Sequence, residues 1–273
     1  MTVAQLSDLH IVARGAPQKP GVDPAANLRA AVAHVLGLDP LPELVVVSGD
    51  LVDRGDAAEY DHLRELLDPV IDRLRLLPGN HDHLPSLAAA FPEVPGLHLE
   101  RASFVDDLHD GLHDGPQDAG GPMRIIGLDT HRPGLESGRL DAEQLDWLDH
   151  LLIQPGEPPT LVVLHHPVHP TGIWFMDQMR LHPSDAAALG RVVERHAQVQ
   201  VIAAGHVHRS SVTLWHGAIA MTVPSVAHAI DLQLSERTPG WRPEPPQFAL
   251  HALVDGRIVT HLASVHEHPL MTF

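Results

Sequence analysis

The chain has no cysteine, which excludes a disulfide framework, a thiolate metal site and a cysteine nucleophile. Basic residues are few: 18 Lys and Arg stand against 35 Asp and Glu, a net charge of −17. That balance argues against the broad basic surface that grips a nucleic-acid polymer, and an anionic substrate would need positive charge supplied locally. No stretch approaches the ~18 apolar residues of a membrane span. Met1 to Asp8 has no basic region followed by an apolar run, so no membrane partner is expected and the expected location is the cytoplasm. Aromatic residues are scarce, 4% of the chain with one tyrosine. What is present is a hydrophobic fraction of 44% over 273 residues, enough for a buried core and incompatible with disorder or a fibrous fold. There are also 23 histidines, more than Lys and Arg together. Histidine is the commonest metal ligand and the usual acid or base near neutral pH. Most of them read as surface residues of a lysine-poor chain, and the question is which few differ.

Short apolar runs alternate with helical patterns, and each run ends in polar residues. Val3 to Leu6 reads as a strand ending at Ser7-Asp8-Leu9-His10, followed by a Pro- and Gly-rich loop to Gly21. Asp23-Pro24 gives an N-cap and a first-turn proline to a helix with apolar Leu28, Ala31, Val32 and Val35. Leu44 to Val47 is a β-branched run suited to a strand buried on both faces, ending at Ser48-Gly49-Asp50, and a helix over about 57–67 follows. Leu74 to Leu77 ends at Pro78-Gly79-Asn80-His81-Asp82, Arg124 to Leu128 at Asp129-Thr130, Leu161 to Leu164 at His165-His166-Pro167, and Val199 to Ala203 before Gly205-His206-Val207-His208. Asp141 and Gln144 have capping-box spacing, and a further helix is expected from Ser184 to about His196. The alternation predicts an α/β fold. A single domain over 1–273 is expected, with 215–273 completing the second sheet or forming a cap or dimer contact. Asp255-Gly256 reads as a hairpin turn, and 99–121 and 235–247 are expected as mobile loops.

In open α/β sheets, ligands bind beyond the carboxyl ends of the strands. Five such ends offer oxygen or imidazole donors: Asp8 and His10; Asp50; Asn80 and His81; His165; His206 and His208. Singly, each has an ordinary reading as a turn or a strand terminus. Together they are hard to attribute to chance. Asp8 and His10, like His206 and His208, stand two apart, so an extended backbone would point each pair to one side. Gly49, Gly79 and Gly205 precede presumed ligands where close backbone approach is needed. Carboxylates, imidazoles and one amide, without sulfur, suit Mn, Fe, Co or Zn. Eight donors exceed one tetrahedral site and fit two metals that share a carboxylate.

Asp8-Leu9-His10, Gly49-Asp50-Leu51-Val52-Asp53, Gly79-Asn80-His81-Asp82, His165-His166-Pro167 and Gly205-His206-Val207-His208 together resemble the motifs of the calcineurin-like metallophosphoesterases, in the family's order and over about three quarters of the chain. Short motif spacing and Met176-Asp177 after the His-His-Pro motif resemble the class III cyclic nucleotide phosphodiesterases and bacterial glycerophosphodiesterases. The resemblance implies a four-layer αββα sandwich of two mixed β-sheets flanked by helices, and two divalent or trivalent metal ions. It implies that Asp8, His10, Asp50 and His208 hold one metal and Asp50, Asn80, His165 and His206 the other, with Asp50 bridging. It implies that His81 is catalytic, beside the substrate phosphoryl group, in leaving-group protonation or transition-state stabilisation. By the same resemblance the partners are a small phosphodiester and a second copy or more of the chain. Val168 and His169 depart from the subgroup's His-His-Pro-Pro pattern.

The reaction that follows is phosphodiester hydrolysis, cyclic 3′,5′-nucleotides first, by a hydroxide bridging two metals about 3.5–4 Å apart. A glycerophosphodiesterase or a phosphomonoesterase is the alternative. A scaffold that had lost its metals should lack ligands, and none is missing. Asn80 and His81 are expected to touch substrate, as are His169, Trp174 and Asp177 in the 166–177 stretch. Trp174-Phe175 is the one adjacent aromatic pair, and a base stacked there would gain roughly 1–3 kcal/mol; packing of the loop or an oligomer contact explains it equally well. Asp53 and Asp82 either orient ligands or cap turns, and Asp129 reads as structural.

Overall fold

Where the sequence carries β-branched runs and helix caps, the computed structural model has the corresponding elements. It describes residues 1–109, 122–153, 156–266, 269 and 271. In chain order these are β1 Thr2–Leu6, α1 Pro24–Gly37, β2 Leu44–Ser48, α2 Ala57–Leu67, a 3-10 turn Asp68–Arg73, β3 Leu74–Leu77, α3 Leu84–Ala90, β4 Phe104–Leu108 and β5 Met123–Gly127. There follow α4 Ala142–Leu152, β6 Thr160–Leu164, α5 Trp174–Asp177, α6 Pro183–Val193, β7 Val199–Ala204, β8 Ser211–Trp215, β9 Ala218–Thr222, β10 Ala229–Ile230, β11 Trp241–Arg242, β12 Gln247–Val254 and β13 Arg257–Ser264. Asp23 caps α1 by accepting from Ala26 N at 2.9 Å. At α4 the cap is half of the expected box. Asp141 accepts from Gln144 N, but the Gln144 side chain turns to the backbone of Asp129, bonding both its N and its O. The 99–121 segment, expected as a loop, contains β4, because Val105 and its neighbours pair antiparallel with β5; residues 110–121 lie outside the described residues.

Of the two large sheets one has the order β13-β12-β1-β2-β3 and the other β4-β5-β6-β7-β9-β8, and β10 and β11 pair separately as a two-stranded sheet. The strands β1, β2 and β3 are mutually parallel, as are β5, β6, β7 and β9, while β12, β13, β4 and β8 pair antiparallel. Both sheets are therefore mixed. Period-2 alternation sorts the second sheet's side chains into two cores. Ile125, Leu161, Val163, Val201 and Ala203 join the core containing β1, β2 and helices α1 to α3. Ile126, Val162, Leu164, Ile202 and Ala204 pack with α4 and α6. Helix, sheet, sheet, helix is the four-layer αββα arrangement. The C-terminal stretch serves both sheets, β9 in one and the β12–β13 hairpin in the other, with left-handed Asp255 (φ +48°) and Gly256 (φ +73°) at its turn. No described helix is long and apolar enough to cross a membrane.

A buried polar chain crosses the first sheet and ends at the last residue of β2. His251 Nε2 lies 3.0 Å from Gln5 Oε1 and its Nδ1 2.8 Å from Thr260 Oγ1. Gln5 in turn donates to Ser48 Oγ at 2.9 Å. Burial pushes the His251 imidazole down to about 3. Because that lies below the ordinary value near 6.5, the unfolded chain binds the extra proton, and this contribution to stability is complete above about pH 6.5 and is lost as pH falls toward 3. Urea unfolding of wild type and His251→Gln at pH 7.5 and pH 5 should show the variant losing less stability on acidification, by about 2 kcal/mol. Equal losses would contradict the assignment.

Candidate metal centre

Parallel strands that share a direction deliver their carboxyl ends to one rim. β1, β2 and β3 bring Asp8 and His10, Asp50, and Asn80 and His81; β6 and β7 bring His165, and His206 and His208. The chain does not stay extended there. Asp8, His10, Asp50, His206 and His208 have φ of +53°, +45°, +49°, +68° and +57°, left-handed values that cost a non-glycine residue of order 1–3 kcal/mol each. The paired donors converge because left-handed residues on either side of Leu9 and of Val207 turn the chain, not because an extended strand alternates its faces. Backbone bonds hold the turns: Asp8 N donates to Gly49 O and His10 N to Asp50 O, both at 3.0 Å. A Cβ on Gly79 would overlap Asp50 Oδ1 and come within 2.7 Å of His165 Nε2, and one on Gly205 would overlap Ser7 Oγ, so glycine is what lets these backbones close on the site.

Two donor groups result. In the first, ligand atoms of Asp8, His10, Asp50 and His208 all lie within 4.8 Å of one another. His10 Nε2 is 3.1 Å from His208 Nε2 and 3.7 Å from Asp50 Oδ2, and His208 Nε2 is 3.4 Å from Asp8 Oδ1. In the second, His165 Nε2 is 3.4 Å from Asp50 Oδ1, 3.3 Å from Asn80 Oδ1 and 3.3 Å from His206 Nδ1. Asp50 thus turns one oxygen to each group. His166 clusters with His165 and His206, but both its ring nitrogens are engaged, Nδ1 with Thr130 Oγ1 at 2.8 Å and Nε2 with Glu136 O at 3.2 Å.

The donor chemistry fits cations at both groups. His165 Nδ1 faces Ser48 O at 2.8 Å and His208 Nδ1 faces His228 O at 2.9 Å, so each places its proton on Nδ1 and turns a bare Nε2 lone pair toward carboxylate oxygen. Lone pairs facing lone pairs in a buried cavity repel unless a positive ion lies between them. The charges agree. Burial and then the charge of Asp50 push Asp8 well above the usual carboxylate range. Burial opposes the charge on Asp50 as well, but positive charge on the surrounding imidazoles, His165 first and then His81 and His10, holds its carboxyl well below that range; with His165 Nε2 unprotonated, a bound cation would supply that charge. Burial, and then His165, pushes the His206 imidazole down to about 3; it stays neutral, as a ligand must.

Supporting residues are distinct from the donors. Asp53 O faces His81 Nδ1 at 2.7 Å, and Asp53 Oδ1 lies 3.4 Å from His10 Nδ1. Asp82 accepts from Leu51 N, Gly79 N and Tyr60 Oη at 2.8–3.1 Å, which ties the Asp50 and Asn80 turns together; burial and then Asp50 push its carboxyl up to about 7. Asp129 accepts from Ala102 N and His131 N, a structural role. His169 Nε2 bonds Ser211 Oγ of β8 at 3.0 Å, and Asp177 accepts from Thr171 N and Oγ1 and from Gly172 N, so His169 ties the loop to β8 and Asp177 closes the loop on itself. Trp174 is 37% exposed, beside Ile230 and Arg237.

Two contributors were not singled out in the sequence. Glu136 accepts from Asn80 Nδ2 at 3.1 Å, turning the amide oxygen toward His165. His228 follows β9, its ring centroid 4.6 Å from that of His208 and 5.3 Å from that of His10, and its Nδ1 is buried without a hydrogen-bond partner among the described residues. His228 follows β9, which is parallel to the β7 that His206 and His208 follow, a signal visible once β9 is assigned.

Residues 1–210 match the model of the calcineurin-like phosphoesterase family. The chain is 32% identical over 271 residues to a probable glycerophosphodiester phosphodiesterase of Arcobacter nitrofigilis, covering 97% of this chain and 93% of that protein. It is 33% identical over 278 residues to a probable cyclic nucleotide phosphodiesterase of Rhodopseudomonas palustris, covering 100% and 96%. Among solved structures, a dimetal phosphatase from Danio rerio superposes with a TM-score of 0.66 at 19% identity, covering 97% and 96% of the two chains.

Proposed function

The chain belongs to the calcineurin-like phosphoesterase family, the metal-dependent phosphoric ester hydrolases, and from that premise we propose that it hydrolyses small phosphodiesters, cyclic 3′,5′-nucleotides before glycerophosphodiesters. The observation that carries the reading is the division of the two Asp50 oxygens between two donor groups. Asp8, His10, Asp50 and His208 would hold one ion and Asp50, Asn80, His165 and His206 the other; Mn, Fe, Co and Zn suit the donor set. Such a pair polarises phosphoryl oxygens and lowers the pKa of water. The chain's own residues do the rest. With its Nδ1 proton directed to Asp53 O, His81 can hold a second proton at Nε2 for the departing alcohol oxygen. Attraction to Asp50 keeps its pKa above the usual value in spite of burial. Asn80 and His228 complete the wall that a phosphoryl group would face.

Relatives named for cyclic nucleotides and for glycerophosphodiesters align over nearly the whole chain, so the ratio of the two activities is the informative quantity. Protein reconstituted with Mn²⁺ is assayed in one buffer on a cyclic 3′,5′-nucleotide, a non-nucleotide glycerophosphodiester and a phosphomonoester. Higher kcat/KM on the cyclic diester is expected. Preference for the glycerophosphodiester would move the substrate assignment, and no turnover of either diester by protein holding two metals would overturn the diesterase reading.

A further inference from the structure

Lys19 is the only lysine in a chain of net charge −17, and the fold places it beside the metal-facing side chains. Its loop is fixed. Lys19 O accepts from Val22 N at 3.1 Å, with Pro20 second and Gly21 (φ +75°) third, the pattern of a type II turn; Asp23 then caps α1. The ammonium lies 3.6 Å from Asp53 Oδ1, which is itself 3.4 Å from His10 Nδ1. Asp53 therefore links the ammonium to Nδ1 of the His10 ring, whose Nε2 is turned to the metal donors. A cavity opens there between Pro17, Gln18 and Val22 on the loop and His10, Asp53 and His228 on the site.

Neutralising Asp53 does not exhaust the ammonium. It has three donors, Asp53 occupies one direction, and Arg54 Nε already lies 3.9 Å from the other Asp53 oxygen. The ammonium pairs with Asp53 and not with a metal-facing donor, so it stands beside a scissile phosphoryl group seated among the donors and not against it. It is well placed for a substituent on the organic arm of a diester. The surrounding negative charge repels anions at long range, so a local cation at this point decides whether a second oxyanion is tolerated.

We propose that Lys19 is a specificity-determining residue that binds a second oxyanion, carboxylate or phosphate, on the organic arm of the substrate, extending the range of the site to open diesters with an acidic arm. This rests on the diesterase reading. The test uses the Mn²⁺-reconstituted full chain and p-nitrophenyl phosphodiesters with ethyl, 2-carboxyethyl or 2-phosphoethyl arms. Wild type should favour at least one acidic arm over ethyl roughly tenfold in kcat/KM, mainly through KM; the arm favoured identifies the oxyanion. In Lys19→Gln the advantage should vanish with metal content and ethyl-arm turnover unchanged, and Lys19→Arg should restore it. Equal loss on all arms, or no advantage in wild type, overturns the proposal. If no diester is turned over, the diesterase reading fails, and calorimetric binding of ethyl phosphate against 2-carboxyethyl and 2-phosphoethyl phosphate still decides Lys19: roughly tenfold tighter binding of an acidic form, lost in Lys19→Gln, supports it, and no difference refutes it.

Discussion

Asp50→Ala is expected to leave no measurable hydrolysis and to lose both metals. Asp50 is 2% exposed and is the one side chain shared by the two donor groups, with Oδ2 3.7 Å from His10 Nε2 and Oδ1 3.4 Å from His165 Nε2. Removing it takes away the one negative charge that the two groups share and also the acceptor for His81 N at 3.0 Å. Metal polarisation is worth several kcal/mol in the transition state, so the rate should fall by about 10³-fold or more. Alanine at φ +49° also carries a left-handed penalty of roughly 1–2 kcal/mol. Asp50→Asn is the control, because asparagine tolerates that conformation and loses only the charge. Atomic absorption and thermal melting on both variants separate metal loss from unfolding. Metal-free Asp50→Ala with full activity would refute the bridging role.

His81→Ala should behave in the opposite way, keeping its metals and losing rate. Its ring packs edge to face on His10, centroids 4.8 Å apart, but its Nδ1 is engaged with Asp53 O, leaving Nε2 for substrate. A positioned proton donor contributes about 10²–10⁴-fold, and that contribution depends on how badly the leaving oxygen needs a proton. For a diester that expels an alkoxide, kcat should fall over that whole range; for one that expels p-nitrophenolate it should fall far less. A loss equal on both leaving groups would assign His81 to transition-state stabilisation instead.

What the sequence disclosed was chemistry at strand ends. Leu44-Val45-Val46-Val47 shows a strand buried on both faces by composition alone, and the donors after it stand in fixed register with it. The local backbone was not legible: residue types two apart suggest extended pairs, whereas Asp8, His10, His206 and His208 are left-handed, because tertiary convergence on the cavity overrides the local preference. Long-range pairing was also hidden. Nothing near Phe248 or Ala249 announces that β12 lies antiparallel beside β1, and His228 acquires its place through β9. Gln144 had the right spacing for a cap box, but its amide is held by the Asp129 backbone, a competitor 15 residues away. Glu136 is an ordinary loop residue until the fold brings it to Asn80.

The proposed centre gathers side chains from five strand ends around two metals, joined by Asp50. Metal analysis together with electron paramagnetic resonance of Mn²⁺-reconstituted protein tests it directly. Two Mn²⁺ per chain with the spectrum of an exchange-coupled pair are expected, and that coupling should be lost in Asp50→Asn. One Mn²⁺ per chain, or two that are magnetically independent in wild type, would contradict it.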